Sequence, residues 1–404
     1  MTSRRRHTGH TGLIVLLGLL TALTPMSVDM YIPALPAISA FFSATPGHVQ
    51  LSLASFFLGL AIGQACYGPL TDRFGRKRPL FAGLTLFVAA SAGCGMAPSI
   101  NTLIGLRFVQ ALGACSGPVI ARAVVRDLFE PREAVRIFSL IVLVLGAAPV
   151  LAPMVGAQIL VFFRWEIIFV VITLFGLIGL AGAAWGLPET HRAENSRPLA
   201  VRSVIGAYGY LLKDRTFVGY ALAGATGFGG MFAYIVGAPF VFIELFHVPV
   251  THFSLFFGIN AAGFVIAAQF NPRLVRRFES DAVIRAVLGI QTTTGLLLLI
   301  GTWTGWISLF GTAFLIFCYV ASIGCLFPNT TAMAMSSHGD KAGSASGLIG
   351  VFQFGLAAVA ALGVSALNNG TAMPMAGVIA ICGVSASVLY HSLVRRRELV
   401  QWRA

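Results

Sequence analysis

Long apolar runs recur along the chain, separated by short polar stretches, and each is close to the 20 or so residues that cross a bilayer as a helix. They fall at roughly 12–38, 50–71, 79–98, 101–122, 137–160, 166–188, 216–241, 252–272, 284–301, 306–328, 342–366 and 372–392. From Ala286 to Ser337 there is no charge at all, which is too long for one crossing. Trp303, Gly305 and Trp306 mark an interfacial turn inside that stretch, and Asn368, Asn369 and Gly370 divide the last pair in the same way. The pattern predicts an all-α polytopic membrane protein with twelve transmembrane helices.

Composition agrees. Of 404 residues, 57% are hydrophobic and only 10% are charged, against about 25% charged in soluble domains. The net charge of +13 would point to nucleic acid in a soluble protein, but the positions of the cations give it another meaning. With the N-terminus in the cytoplasm, the inner loops and termini hold Arg4–Arg6, Arg73, Arg76, Lys77, Arg78, Arg122, Arg126, Arg132 and Arg136. They also hold Arg192, Arg197, Arg202, Lys213, Arg215, Arg273, Arg276, Arg277, Arg285, Lys341, Arg395, Arg396, Arg397 and Arg403. Only Arg164 falls outside, and Arg107 falls within a membrane segment. This alternation orients the chain with both termini cytoplasmic and removes the reason to expect nucleic acid.

Arg4–Arg6 before an apolar run resemble a signal peptide, but no A-x-A site follows, so a first span is expected and not a removed leader. The six cysteines show no CxxC and no paired spacing, so neither disulfides nor a metal are expected. No HExxH or GxSxG lies in a span, and GxxxxGK[ST] is absent, which argues against an intramembrane enzyme and a nucleotide-driven pump.

The longest polar stretch divides the chain into an N-terminal six-helix bundle (1–188), a cytoplasmic linker (189–215) and a C-terminal six-helix bundle (216–404). In each half the loop after the second helix is basic, DRFGRKRP at 72–79 and NPRLVRRFESD at 271–281. Such correspondence suggests two pseudo-repeats, the organisation of carriers that work by alternating access.

GPLTDRFGRKRPL, residues 68–80, carries G-x-L-x-D-R-x-G-R-[KR] through Gly68, Asp72, Arg73, Gly75, Arg76 and Lys77. It resembles the signature of the major facilitator superfamily, in the loop where that family has it. Gly68 would let helices approach closely, Gly75 would allow a tight turn, and Pro79 suits a first helical turn. Asp72, at a helix C-terminus, opposes the dipole and needs another partner. The resemblance implies a cytoplasmic latch between Asp72 and the eleventh helix, which opens with GSASG at 343–347 and would hold the halves together when the carrier is open outward. RFVQALGA in the fourth helix resembles the family's R-x-x-Q-G motif, with Ala111 in place of glycine. GAAPVLAPMVGA at 146–157, with Pro149, Pro153 and Gly156, resembles its antiporter motif GxxxGPxxGG, with alanines at several glycine positions.

Together with SVDMYIPALP at 27–36 and the FNPRLVRRF loop, these stretches resemble the bicyclomycin/chloramphenicol-resistance (Bcr/CflA) subfamily of drug:proton antiporters over essentially the whole length. The resemblance implies the major facilitator fold and a bacterial inner-membrane location. It also implies proton-coupled export of small amphipathic drugs of the bicyclomycin, chloramphenicol or sulfonamide type, by a monomer with no cofactor, driven by the proton gradient. The partners would be a small-molecule drug, protons and the bilayer. The alternative is proton-coupled export of a metabolite such as a sugar or amino acid.

Among the fourteen acids only Asp29 lies deep in a span, and Arg107 is the only deep cation, so the two invite pairing as a proton-coupling site. Burial favours the neutral form of a carboxyl and a nearby arginine the charged form, an opposition that suits a group that must take and release a proton. Pro25 and Pro33 predict an irregular first helix around Asp29. Tyr31, Gln64, Gln110, Met231, Phe232, Tyr234, Asn260, Asn329 and Gln353 are polar, soft or aromatic residues at depths suited to a substrate pocket. GATGFGGMFAYIVGAP, 224–239, can serve either bending or close helix packing.

Overall fold

In the computed structural model, residues 3–129, 131–189, 201–336, 338 and 342–395 are described, and their regular structure is helical. Span 1 is α1 (Ser3–Asp29), a 3-10 turn (Ile32–Ala34) and α2 (Leu35–Phe42). Spans 2 and 3 are α3 (Pro46–Phe74) and α4 (Lys77–Gly95). Span 4 is α5 (Ile100–Ala114) with α6 (Ser116–Leu128), and spans 5 and 6 are α7 (Pro131–Phe162) and α8 (Glu166–Gly186). A short connecting helix, α9 (Val201–Lys213), precedes span 7, which is α10 (Arg215–Ala238) prolonged by a π-helical turn, Pro239–Leu245. Spans 8 to 12 are α11 (Val250–Leu274), α12 (Ser280–Thr304), α13 (Leu309–Met335), α14 (Ala342–Ala366) and α15 (Met373–Tyr390).

Eleven described helices are long and apolar enough to cross a membrane. With α7, whose Ala147–Phe162 stretch is apolar, they make the twelve crossings that the pattern predicts. The turns fall where expected: Gly305 ends α12 with φ +71°, and Gly370 follows α14 with φ +78°. Residues 190–200 of the expected linker, and Lys341, lie outside the described residues.

Span 1 breaks beside Asp29 for a backbone reason. Pro33 has no N–H to offer the carbonyl of Asp29, and Pro36 has none for Ile32. The Tyr31 N–H bonds the Val28 carbonyl at 3.2 Å, one residue short of its α-helical partner. The Ser27 carbonyl is thereby released from the helical ladder in the middle of the protein. A buried backbone acceptor must find another donor, and a side chain of span 4 supplies one.

The two halves meet most tightly at the end away from α9, here called the far face. Ser365 Oγ on α14 donates to the Gly47 carbonyl on α3 at 2.5 Å. Ser254 Oγ on α11 donates to the Pro153 carbonyl on α7 at 3.1 Å. Deeper in, the rings of Phe57 and Phe232 meet edge to face with centroids 4.4 Å apart. Towards the α9 end, the linker face, the halves part: a side chain on Gly68 of α3 or Gly343 of α14 would meet nothing within 4 Å. Gly68 therefore does not serve a close helix approach in this state.

Candidate transport cavity

The parting leaves a central cavity of about 550 Å³ between the halves, within the 300–1,000 Å³ typical of small-molecule sites. Its wall is mostly apolar and rich in phenylalanine, with Phe57, Phe228, Phe232, Phe257, Phe264 and Phe354 among the lining. Asp29 sits in that wall, 5% exposed. Among the described residues it has no hydrogen bond and no ion pair.

Arg107 does not answer that carboxylate. It is fully buried inside the N-terminal half and does not line the cavity. One guanidinium N–H group, Nη1, donates to the released Ser27 carbonyl at 3.1 Å and to Gln110 Oε1 at 2.6 Å. Gln110 in turn donates to Ser91 Oγ on α4 at 2.8 Å. The guanidinium carbon lies 4.4 Å from the Tyr31 ring centroid and 4.3 Å from that of Phe56. The negative faces of these rings stabilise the cation, while Nε and Nη2 have no hydrogen-bond partner. Asp29 and Arg107 thus lie on different sides of span 1, because helical position determines depth but not which neighbour a side chain turns toward.

Six of the nine pocket candidates line the cavity: Gln64, Met231, Phe232, Tyr234, Asn260 and Gln353. Asn260 donates to Tyr234 Oη at 2.9 Å, which leaves the phenol hydrogen free to donate onward. The other three are engaged elsewhere. Tyr31 is buried, with Oη 2.7 Å from Ser52 Oγ. Gln110 belongs to the Arg107 group, and Asn329 Nδ2 donates to Asn271 Oδ1 at 2.7 Å.

The three proposed antiporter-motif residues lie at the cavity wall, the seam and the span 1 break respectively. Pro149 lines the cavity and Pro153 offers its carbonyl across the seam. A side chain on Gly156 would collide with the Met30 carbonyl oxygen, so glycine is what lets α7 reach span 1 there. The glycines of 224–239 likewise serve packing: a side chain on Gly230 would strike the Tyr319 phenol.

In the basic loop motif, Gly75 adopts φ +82°, as a tight turn requires. Among the described residues, the motif makes contacts to the N-terminal half and to the first residue of the linker. Arg76 Nε donates to Asp127 Oδ2 at 2.9 Å, and the Glu189 carboxylate accepts the backbone N–H groups of Arg76 and Lys77 at 3.0 and 3.2 Å. An anion there complements the start of α4. Arg73 lies over the Phe74 ring, 5.1 Å from its centroid. The Asp72 side chain lies outside the described side chains. Helix register still locates its level: Gly47 meets Ser365 and Gly350 meets Gln64, so the antiparallel pair puts position 72 level with the start of α14, where the halves part. Gly347 in GSASG packs instead under Tyr208 of α9.

Sequence reasoning missed Asp127, Glu189 and above all Arg122, which was placed in a loop. Arg122 lies in span 4, which runs to Val125, and it is exposed because it faces the cavity. An arginine before RD looks like loop chemistry; the apolar residues continuing to Val125 were the available signal.

A central cavity, sealed at one face and open toward the other between two six-helix halves, defines a membrane transporter. The chain belongs to the Major Facilitator Superfamily, whose family model matches residues 17–362, and it is a transporter and not an enzyme. It is 36% identical to the uncharacterized MFS-type transporter YdgK of Bacillus subtilis over 95% of this chain and 96% of that one. It is 33% identical, over the same shares of the two chains, to the bicyclomycin resistance protein homolog of Haemophilus influenzae. It is 31% identical to a chloramphenicol resistance protein of Pseudomonas aeruginosa, over 71% of this chain and 68% of that one. Its fold is similar to the crystal structure of a D-xylose-proton symporter, with TM-score 0.74 and 15% identity over 95% of this chain and 98% of that one.

Proposed function

We propose that this transporter exports small amphipathic drugs in exchange for protons, by alternating access, as a monomer in the bacterial inner membrane with both termini cytoplasmic. The reading rests on one observation above others: a single unpartnered carboxyl, Asp29, in a phenylalanine-lined cavity. The names of the relatives support drugs as cargo. The apolar wall argues against a sugar, which needs many hydrogen-bond partners.

On this reading the linker face is cytoplasmic and the described state faces inward. A drug enters from the cytoplasm or inner leaflet and rests on the phenylalanines as Asp29 releases its proton inward. The halves then rock, the far-face seam opens, the drug leaves, and Asp29 takes a proton from outside. Arg107 acts as a positioning residue, because it holds the broken end of span 1 through the Ser27 carbonyl. The energy comes from the proton gradient and no cofactor is needed.

The test is drug resistance in a pump-deficient host combined with proton release from purified protein. Wild type should raise resistance to chloramphenicol, bicyclomycin or a sulfonamide and release protons on binding that drug. Asp29→Asn should bind the drug, release none and give no resistance. Equal proton release from Asp29→Asn would place the proton site elsewhere.

A further inference from the structure

We infer that Arg122 is a second recognition point of the cavity and that the preferred substrates are amphipathic molecules bearing an anionic or strongly hydrogen-bond-accepting group, not lipophilic cations. This rests on the cavity being the drug site.

Arg122 and Asp29 are the only charged residues in the described cavity lining, and they do not pair. A side chain on Gly117 of α6 would strike the Leu20 carbonyl of α1, which sets these two antiparallel helices in register. Arg122 lies five residues beyond Gly117 toward the linker face, and Asp29 nine beyond Leu20 toward the far face. At 1.5 Å per residue their levels differ by about 20 Å. The cavity therefore has an acidic closed end and a basic mouth.

The guanidinium at the mouth has spare capacity. Among the described residues its side-chain hydrogen-bond contact is Nη2 to Gln64 Oε1 at 3.5 Å, too long to satisfy a charged donor. Across the cavity, Thr331 Oγ1 on α13 lies buried without a partner and lines the same space. An arginine fork, a glutamine and a hydroxyl suit a carboxylate, sulfonyl or nitro group. The phenylalanine wall beyond would take that molecule's apolar part. A permanent cation would meet like charge at the mouth before reaching Asp29.

Three matched probes test this: biphenyls carrying a para carboxylate, carboxamide or trimethylammonium group, binding to the purified full-length protein. The carboxylate should bind about tenfold or more tighter than the ammonium. Arg122→Gln should weaken the carboxylate about tenfold and change the carboxamide by less than about twofold, with Arg122→Lys in between. If the neutral probe binds but Arg122→Gln leaves the carboxylate unchanged, or the ammonium binds tightest, the inference fails and the pump reading stands. If all three weaken equally, Arg122 serves the cavity's shape or its gate, which also overturns the inference. If none of the three binds wild type, the drug-site reading fails with it.

Discussion

Each half of the transporter has a polar joint at its centre, and the two joints differ in kind. In the N-terminal half, Arg107 of span 4 binds the Ser27 carbonyl of span 1 and reaches Ser91 of span 3 through Gln110. In the C-terminal half, Tyr319 of span 10 donates to the Gly227 carbonyl of span 7 at 3.1 Å. Gln291 of span 9 lies against that same glycine. The first, third and fourth spans thus converge in each repeat, once through hydrogen bonds to a cation between two rings and once through a single neutral hydrogen bond with Gln291 packed beside it. The charged joint accompanies the broken span and Asp29, while the neutral joint accompanies the unbroken α10 and the aromatic wall that Phe228, Phe232 and Tyr234 present. Among the described residues, charge in the cavity lining, and with it the proposed proton chemistry, is confined to the N-terminal half; the C-terminal half contributes apolar and neutral polar groups there.

The largest expected effect follows from removing the charged joint. Arg107→Ala leaves the Ser27 carbonyl and Gln110 Oε1 without their donor and opens a void between Tyr31 and Phe56. Transport should vanish, with destabilisation of about 2–5 kcal/mol by thermal unfolding in detergent. Arg107→Lys keeps the charge but loses the planar fork and should recover transport only in part. Full transport by Arg107→Met would show that the charge is dispensable and that the two joints are equivalent packing devices.

Next come glycines at helix contacts in each half. A methyl on Gly117 meets the Leu20 backbone carbonyl, whereas one on Gly230 meets the end of the Tyr319 side chain. Backbone yields less than a side-chain tip, so Gly117→Ala should cost about 2–3 kcal/mol and Gly230→Ala about 1–2. Equal losses would mean that the charged half is no more rigidly seated than the neutral one. Tyr319→Phe then removes one hydrogen bond to a carbonyl in the middle of a helix and should cost about 1 kcal/mol with transport retained.

How much of this was legible beforehand follows from what a bilayer demands. Continuous apolar runs and the placing of cations between them are imposed by lipid, so twelve crossings could be read directly. The irregularity beside Asp29 was legible from Pro33, which removes a defined backbone donor, whereas Pro25, also expected to disturb the helix, lies within α1. Azimuth was not: nothing in the spacing of Asp29 and Arg107 says that one faces the cavity and the other the bundle interior. The same ambiguity misplaced Tyr31, Gln110 and Asn329. Arg122 was lost differently, because a charge at the end of an apolar run looks like its boundary even where the helix continues along the cavity wall. The Arg76–Asp127 and Glu189 contacts join residues far apart in sequence, and no local pattern announces them.

The smallest expected effect is also the sharpest test of the comparison. Gln291 is fully buried in α12, and both polar atoms of its amide lack a hydrogen-bond partner. A buried amide without partners carries a desolvation cost, so replacing it with an apolar group of similar size should be neutral or stabilising, by about 1–2 kcal/mol. Gln291→Leu should therefore unfold at the same or a higher temperature than wild type and transport normally. Gln110→Leu, its opposite number in the charged joint, should be destabilised, because Arg107 loses an acceptor and Ser91 Oγ loses a donor. The comparison is between two buried glutamine amides, one engaged and one not, so helix propensity and side-chain volume cancel between the variants. If Gln291→Leu loses as much as Gln110→Leu, the C-terminal joint needs its amide as the N-terminal joint does. The two halves would then differ in charge alone and not in how much of their polar chemistry the fold requires.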